Sequence, residues 1–480
     1  MHLVGAGGCG MSGLGHLLLD LGHRVTGSDL VVNEEVRQLQ ARGAQIHCGH
    51  HAANVRTTGP ALVVHTSAAS LDNIELETAR ELGLPVARRA VMLAALLHRQ
   101  RGICVAGMHG KTTTTALLAF VLEQLGLHPS YAVGAMAPQL PRPARYTDSP
   151  RGPAPWFVIE ADESDGTLTQ FWPEHAILLN VDAEHLDHFP DLTAVHREFG
   201  CFTSQTKGLR LFCKDDSNLC QLLEGQPRTV SFGFHSQADY RVERRSSGEA
   251  GAGGPEQLFT VWHQGATLGD FRTSLLGEKN VSNVVAVIAL LHQLGFPAGD
   301  IARAIALFRG ATRRQQLLFS DGQIQVYDDY GHHPNEVQAT LRALKEVHPG
   351  RLLVAFQPHR YTRTLHLMRE FATAFHEADA LWLSEIYAAS EPPIPGVSGQ
   401  VLAEAIRAQG QPVEYVPRWQ DLGAAVLAAL QAGDLVLFLG AGDTSKVAHE
   451  VAAELQRRSP LSPLTNRVHG LVDPAALVLA

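Results

Sequence analysis

Residues 103–115, ICVAGMHGKTTTT, put an apolar strand, a tight glycine turn and then Lys111-Thr112 at the start of a helix. That order has the logic of a phosphate loop. Backbone N–H groups from Gly107 to Gly110 can cradle an anion, Lys111 can reach β and γ oxygens, and the hydroxyl of Thr112, followed by Thr113, can face Mg2+. Val105 stands where the strict pattern has its first glycine, which leaves a shorter G-x-x-G-K-T. A surface lysine at a helix start is the competing reading, but only this one of the chain's six lysines has the complete strand-loop-helix context. Next comes WFVIEADESD, an apolar strand ending in Glu160, Asp162, Glu163 and Asp165. Carboxylates packed this closely repel unless a cation neutralises them. Glu160, the first acid after the strand, is the expected Mg2+ ligand. A second strand, AILLNV, ends in DAEHLDHF, where His185 is the candidate for a second Mg2+ and an ordinary surface histidine is the alternative.

The first residues carry another anion-binding pattern. In MHLVGAGGCGMSG, Gly5, Gly7 and Gly10 spell G-x-G-x-x-G, with Gly8 inside the turn. A strand at His2 to Val4 leads in, a helix from Met11 to Leu21 leads out, and a second strand, Arg24 to Gly27, runs on to Asp29, 19 residues past Gly10. A helix N-terminus so placed holds a diphosphate, and the acid reaches a ribose hydroxyl. Nothing in the glycines names a nicotinamide, so an NAD-dependent dehydrogenase is one reading among several. Cys9, inside the loop, is expected to be a small buried residue, with an oxidation-sensitive thiol as the alternative.

The elements that must position these groups alternate between short apolar strands and helix-length segments along most of the chain, the pattern of parallel sheets covered by helices. The fold class is therefore α/β in three domains: a Rossmann-like domain at 1–99, a central P-loop-type domain with a mostly parallel sheet at 100–309, and a Rossmann-like domain at 310–458. Residues 459–480 read as a flexible tail. A Gly-rich stretch between ADYRVER and QLFTVWHQ is expected to tip a β-hairpin. A net charge of −9 supplies no basic face, which disfavours nucleic acid. Apolar runs are interrupted before they could span a bilayer, and no signal peptide precedes the first strand, so the expected home is the cytoplasm. Six scattered cysteines form no C-x-x-C pair, which argues against metal clusters and disulfide frameworks.

Taken in order, GMHGKTTTT, EADESD, NVDAEHLDHF, GEKNVSNVVAV, GATRRQQ, DDYGHHPNEV, FQPHRYTRT and GAGDTSKVA resemble the Mur ligases across nearly the whole chain. The resemblance implies a first domain for a UDP-sugar, a central domain for ATP and a third for the incoming amino acid. It implies ATP and Mg2+ as cofactors, with Gly107, Gly110, Lys111, Thr112, Thr113, Asn280, Asn283, Arg313 and Asp328 around ATP, and Thr112, Glu160 and His185 around the metal. For the UDP-sugar it implies Gly7, Gly8, Gly10, Asp29 and Ser67, and for the amino acid Tyr330, His332, His359, Arg360 and Arg363. A helix N-cap at Asn280 and a solvated basic pair at Arg313 are the plainer alternatives. Two segments depart from the family pattern: Met108 replaces a usual threonine, and HTSAAS replaces a segment of SSAI type.

The activity so implied is ATP-dependent joining of L-alanine to the carboxylate of UDP-N-acetylmuramate through an acyl phosphate, with these small molecules as the partners. Lys111, Glu160, His185, His332 and Arg360 are the expected catalytic residues, and a neutral His332 is a candidate proton acceptor. A murein-peptide recycling ligase shares the architecture, and Tyr-Gly in DDYGHH favours the alanine-adding branch. A dehydrogenase explains only the first block, and a non-catalytic nucleotide sensor leaves the acidic and third-block residues without a use.

Overall fold

The computed structural model describes residues 1–148, 153–163, 166–182, 189, 191–248 and 254–458. His185, Asp165 and the tail 459–480 lie outside the described residues. The chain divides into two compact units, residues 1–312 and 313–480.

The first unit holds two sheets. One has five parallel strands in the order Gln45–Cys48, Thr26–Asp29, His2–Val4, Val63–His65, Val86–Arg88. Its middle strand is wholly buried, as expected of a parallel sheet covered on both faces. The helix after it spans Cys9–Asp20, two residues earlier than the apolar spacing indicates, because the turn closes on Gly8, whose extended backbone caps the helix. The second strand begins later than read, at Thr26, and ends on Asp29 itself. Cys9 is exposed rather than buried; the helix starts there, and its side chain points away from the core that Met11 and Leu14 enter.

The second sheet has ten strands. Its parallel centre runs Thr229–Gly233, Arg210–Cys213, His175–Leu178, Arg101–Ala106, Trp156–Glu160, Ser130–Ala132. Strands Tyr240–Gly248, Glu256–His263 and Ala266–Thr273 extend one side as an antiparallel meander, so the expected hairpin is present. The helices Lys111–Gln124 and Glu278–Gln293 bury nearly every residue of their middle turns, the mark of helices enclosed on all sides. One apolar core runs from Leu3 and Leu17 through Ala144 and Tyr146 to Val158, so the two sheets of this unit share an interior. Strand Arg101–Ala106 lies between strands that follow it in the chain on either side. Its C-terminal end, where such sheets bind ligands, leads straight into the loop of Lys111.

The second unit has a six-stranded sheet, Gln316–Ser320, Gln325–Asp329, Leu435–Leu439, Leu352–Phe356, Ala380–Ser384, Glu414–Val416, parallel except for its first pair. Leu353, Trp382, Phe438 and Val447 belong to its own core.

Candidate active site

The phosphate loop is built by conformations that only glycine adopts at low cost. Gly107 has φ 133° and Gly110 φ 86°. A Cβ on Gly107 would come 3.0 Å from the backbone of Asn180, and one on Gly110 would come 2.6 Å from Asn283 Nδ2. Asn180 is a residue that sequence reasoning missed. Its Oδ1 accepts from His109 N at 2.8 Å and its Nδ2 donates to the His109 carbonyl at 2.9 Å, stapling the loop to the end of the neighbouring strand. Its place in NVD, just past a strand end, was the available signal.

Lys111 Nζ donates to the Gly107 carbonyl at 2.6 Å and to both oxygens of Glu163, at 2.8 and 3.0 Å. Glu163 is fully buried. Burial alone would discharge the ammonium, but Glu163, Asp162 and Glu160 outweigh it and hold the lysine pKa above its ordinary value. Thr112 Oγ1 donates to Glu160 Oε2 at 3.0 Å, and Gly134 N donates to the other carboxylate oxygen. Thr112 and Glu160 thus supply two adjacent hard oxygen donors. That set suits Mg2+, which takes one or two carboxylates and completes its shell with phosphates and water. Among the described residues no group of three or more His, Cys, Asp or Glu forms a closed metal cage. Thr113 is buried behind the loop. Asn283 touches Gly110, whereas the Asn280 amide donates to the Leu276 carbonyl at 2.9 Å, inside a helix capped by Gly277.

At the first sheet, Gly7 N donates to Asp29 Oδ2 at 2.8 Å, and Val31 N to Oδ1 at 3.1 Å. Asn33 Nδ2 donates to the Gly7 carbonyl at 2.8 Å. Asp29 here shapes the glycine loop itself. Gly8 caps the helix without a side-chain partner, and Ser67 is exposed in the turn after Val63–His65. Arg89 is the second missed residue: a side chain on Gly10 would come 3.1 Å from its guanidinium carbon. Seventy-nine residues separate Arg89 from Gly10 in sequence, and only the return of the chain after the fifth strand brings a cation to the loop.

In the second unit, the strand ending at Asp329 delivers DDYGHHP to the sheet's C-terminal edge. Asp328 is fully buried and accepts from Ser445 Oγ at 2.6 Å; burial raises its pKa against the pull of Ser445 and Arg313. Burial likewise lifts Asp329 to about 6. The Arg313 guanidinium lies 4.8 Å from the Tyr330 ring centre, and its Nη2 donates to the Gly440 carbonyl at 2.7 Å. The His332 and His359 rings meet edge to face at 5.6 Å. Burial depresses them to about 4 and about 3, with neighbouring cations adding to the fall for both. Both are neutral at pH 7. Arg363 Nη1 lies 3.2 Å from His359 Nδ1, and Tyr387, unforeseen from sequence, stacks on His359 at 5.5 Å. Arg313 and Arg360 have φ of 57° and 71°, a region that costs a side-chain-bearing residue on the order of 1–3 kcal/mol and clusters at functional sites.

The fold and these sites define an α/β enzyme with two glycine loops, each between a strand and a helix, in one unit and a histidine-arginine cluster in the other. The chain matches "Mur ligase family, catalytic domain" over residues 1–101, "Mur ligase middle domain" over 105–291 and "Mur ligase, glutamate ligase domain" over 313–442. It is 41% identical to the UDP-N-acetylmuramate–L-alanine ligase of Myxococcus xanthus, over 96% of each chain. It is 42% identical to that of Anaeromyxobacter dehalogenans, over 95% of this chain and 98% of the other. The solved UDP-N-acetylmuramate-alanine ligase of Thermotoga maritima superposes with a TM-score of 0.82 at 30% identity, covering 95% of this chain and 99% of that one. A murein peptide ligase of Psychrobacter arcticus shares the fold, with a TM-score of 0.68 at 24% identity, over 96% and 99% of the two chains. The chain belongs to the Mur ligase family.

Proposed function

We propose that this enzyme joins L-alanine to the carboxylate of UDP-N-acetylmuramate at the expense of ATP, in the cytoplasm, as a step of peptidoglycan precursor synthesis. The observation that carries the reading is the identity of about 41% with alanine-adding ligases over nearly the full length of both chains. The geometry agrees with the chemistry required. A carboxylate and an amine do not condense unaided in water, so the carboxylate first attacks the ATP γ-phosphorus to give an acyl phosphate and ADP. The alanine amine then adds to that carbonyl, and phosphate leaves.

Lys111 exchanges Glu163 for the β and γ oxygens and offsets charge on the transferred phosphoryl group. Thr112 and Glu160 would hold Mg2+, with His185 as a further metal-site residue. When bound, the ion neutralises phosphate oxygens and orients the γ-phosphorus. Asn283 fixes Gly110 behind the phosphates. The loop from Gly7 to Gly10, with Arg89 beside it, holds the UDP diphosphate on a helix N-terminus. Asp328 takes the ATP ribose, and Arg313 contributes a cation to the nucleotide. Arg360 and Arg363 fork onto the alanine carboxylate and the acyl phosphate. His332, neutral at pH 7, accepts the proton that the ammonium must lose before it can attack.

ADP release measured against each substrate in turn tests the reading. Turnover that requires both UDP-N-acetylmuramate and L-alanine is expected. Turnover with an alanine-led tripeptide but not with alanine would move the enzyme to the recycling branch, and tight NAD binding without UDP-N-acetylmuramate binding would overturn the ligase assignment.

A further inference from the structure

The helix Cys9–Asp20 joins two places that the chemistry must keep in register. Its N-terminus is the glycine loop. Its last residue, Asp20, has a carboxylate only 9% exposed, on which three donors converge. Arg42 Nη2 donates to Oδ1 at 2.7 Å from within the first domain. The other two come from the central domain: Arg142 Nη2, at 2.8 and 2.9 Å from the two oxygens, and Tyr146 N, at 2.8 Å from Oδ2. Arg142 is itself aimed by its Nε, which donates to the Ala144 carbonyl at 3.0 Å. Midway along the helix, a Cβ on Gly13 would meet the Ala144 methyl at an ordinary 3.6 Å, so the helix lies close against the same segment.

That segment leads to the metal carboxylate. Ala144–Arg145 pairs with Ser130–Ala132, which pairs in turn with the strand ending at Glu160. Two residues past Ala132, Gly134 N donates to the Glu160 carboxylate. A short series of bonded elements therefore runs from the diphosphate loop, down one helix, across Asp20–Arg142 and up to the residue that faces the ATP phosphates.

We propose that Asp20 and Arg142 form a positioning clamp that sets the glycine loop relative to the Lys111 loop, so that the sugar carboxylate held by the first meets the γ-phosphorus held by the second. The proposal rests on the ligase reading above. Twelve helical residues span about 18 Å, so a tilt of roughly 5° at the Asp20 end carries the loop by about 1.5 Å. Misplacement of about 1 Å costs on the order of 10²-fold in rate. The clamp acts on the alignment of two bound substrates, not on the affinity for either.

The test compares Asp20→Asn, Arg142→Gln, their double variant and Arg42→Gln. Saturated kcat is read from ADP release, and binding of UDP-N-acetylmuramate and of an unreactive ATP analogue by calorimetry. The clamp predicts that Asp20→Asn and Arg142→Gln each lower kcat by ~10- to 100-fold while both dissociation constants stay within ~3-fold. It predicts that the double variant is no slower than the slower single one. Arg42→Gln touches the same carboxylate from inside the first domain and should keep kcat within ~3-fold. Arg142→Lys keeps the charge but not the paired contact, and its intermediate kcat covers the case in which the neutral variants fail to fold. Parent kcat in folded Arg142 variants, losses that multiply in the double variant, or an Arg42→Gln loss equal to that of Arg142→Gln would each overturn the clamp alone. A parent enzyme that releases no ADP with UDP-N-acetylmuramate and L-alanine would overturn the ligase reading, and the clamp with it.

Discussion

The first unit holds two glycine loops, each leading from a parallel strand into a helix, and they are furnished differently. Around Gly7 the supports are a carboxylate and an amide turned onto the loop's own backbone, Asp29 on Gly7 N and Asn33 on the Gly7 carbonyl. The cation, Arg89, stands at the rim beside Gly10. Around Lys111 the cation is inside the loop, paired with the fully buried Glu163. A diphosphate that is only held needs a stiff cradle and a charge within reach. A phosphoryl group in transfer spreads its charge as it moves, and a preorganised, desolvated cation there stabilises the transition state more than the ground state. On the ligase proposal, the first loop is furnished for binding and the second for chemistry.

The largest effect should come from emptying the second loop. Lys111→Ala is expected to lower kcat by at least ~10³-fold. It also strands Glu163 without its counter-ion, which costs about 3 kcal/mol of stability when one partner of a buried pair is removed. Lys111→Ala/Glu163→Gln should regain most of the lost melting temperature and none of the activity. A double variant that recovers turnover would show that the lysine serves the fold and not the transfer.

Next in size is a change in the first loop. A Cβ on Gly7 would come 3.0 Å from Asn33 Oδ1 and 3.1 Å from the Asp29 carboxylate, so Gly7→Val pushes away the groups that shape the cradle. With the loop displaced, losing two or so of its hydrogen bonds to the diphosphate should raise KM for the UDP-sugar by ~10²-fold, with ATP binding near the parent value. Equal damage to both substrates would erase the division of labour between the loops.

How far this was legible in the sequence follows from how far apart the parts lie. Lys111, Thr112, Gly107 and Gly110 sit within six residues of one another and declare a loop by local pattern alone. Spacing from Gly10 singles out Asp29 for a ribose hydroxyl, whereas the structure turns its carboxylate onto Gly7 N and Val31 N, since a fingerprint says nothing of side-chain direction. Arg89, Asn180, Tyr387 and the Asp20–Arg142 pair are joined to their partners only by sheet order, and 122 residues separate the last two. Burial of Cys9 does not follow from its size: it opens the helix on the outward side, beside the exposed Gly10, while Met11 and Ser12 of the same turn face inward.

Arg89 gives a smaller and sharper test. As a guanidinium at the rim it should contribute one charge-assisted contact to the diphosphate, so Arg89→Ala should raise KM for the UDP-sugar by ~10-fold and leave kcat within ~3-fold. A fall in kcat at unchanged KM would place Arg89 with the chemistry of the second loop.

The smallest effect is a matter of pH, and it also separates the two loops. His16, two per cent exposed on the helix that carries the first loop, is held neutral by burial, with Arg42 and Arg142 adding to the effect, and its pKa falls from 6.5 to about 4. The unfolded chain therefore takes up a proton below pH 6.5 that the folded chain refuses until about pH 4. Stability is full above 6.5 and declines as the pH drops through that window, by about 3 kcal/mol in all. Glu75, buried in the same domain, is depressed to about 2, against the cost of burial, by hydrogen bonds from His2, Ser28 and Asn54, and its contribution is lost only below pH 4.5. Acid between pH 6.5 and 4.5 should thus weaken the first domain through His16 before Glu75 titrates, whereas Lys111 stays charged throughout. Binding of UDP-N-acetylmuramate should fall off in this window ahead of ATP-analogue binding, and His16→Gln should flatten that difference. Calorimetric titration of both ligands at pH 7, 6 and 5 decides it: affinities that decline together, or a parent and a His16→Gln variant with the same pH profile, would show that the acid sensitivity does not reside in the helix behind the first loop.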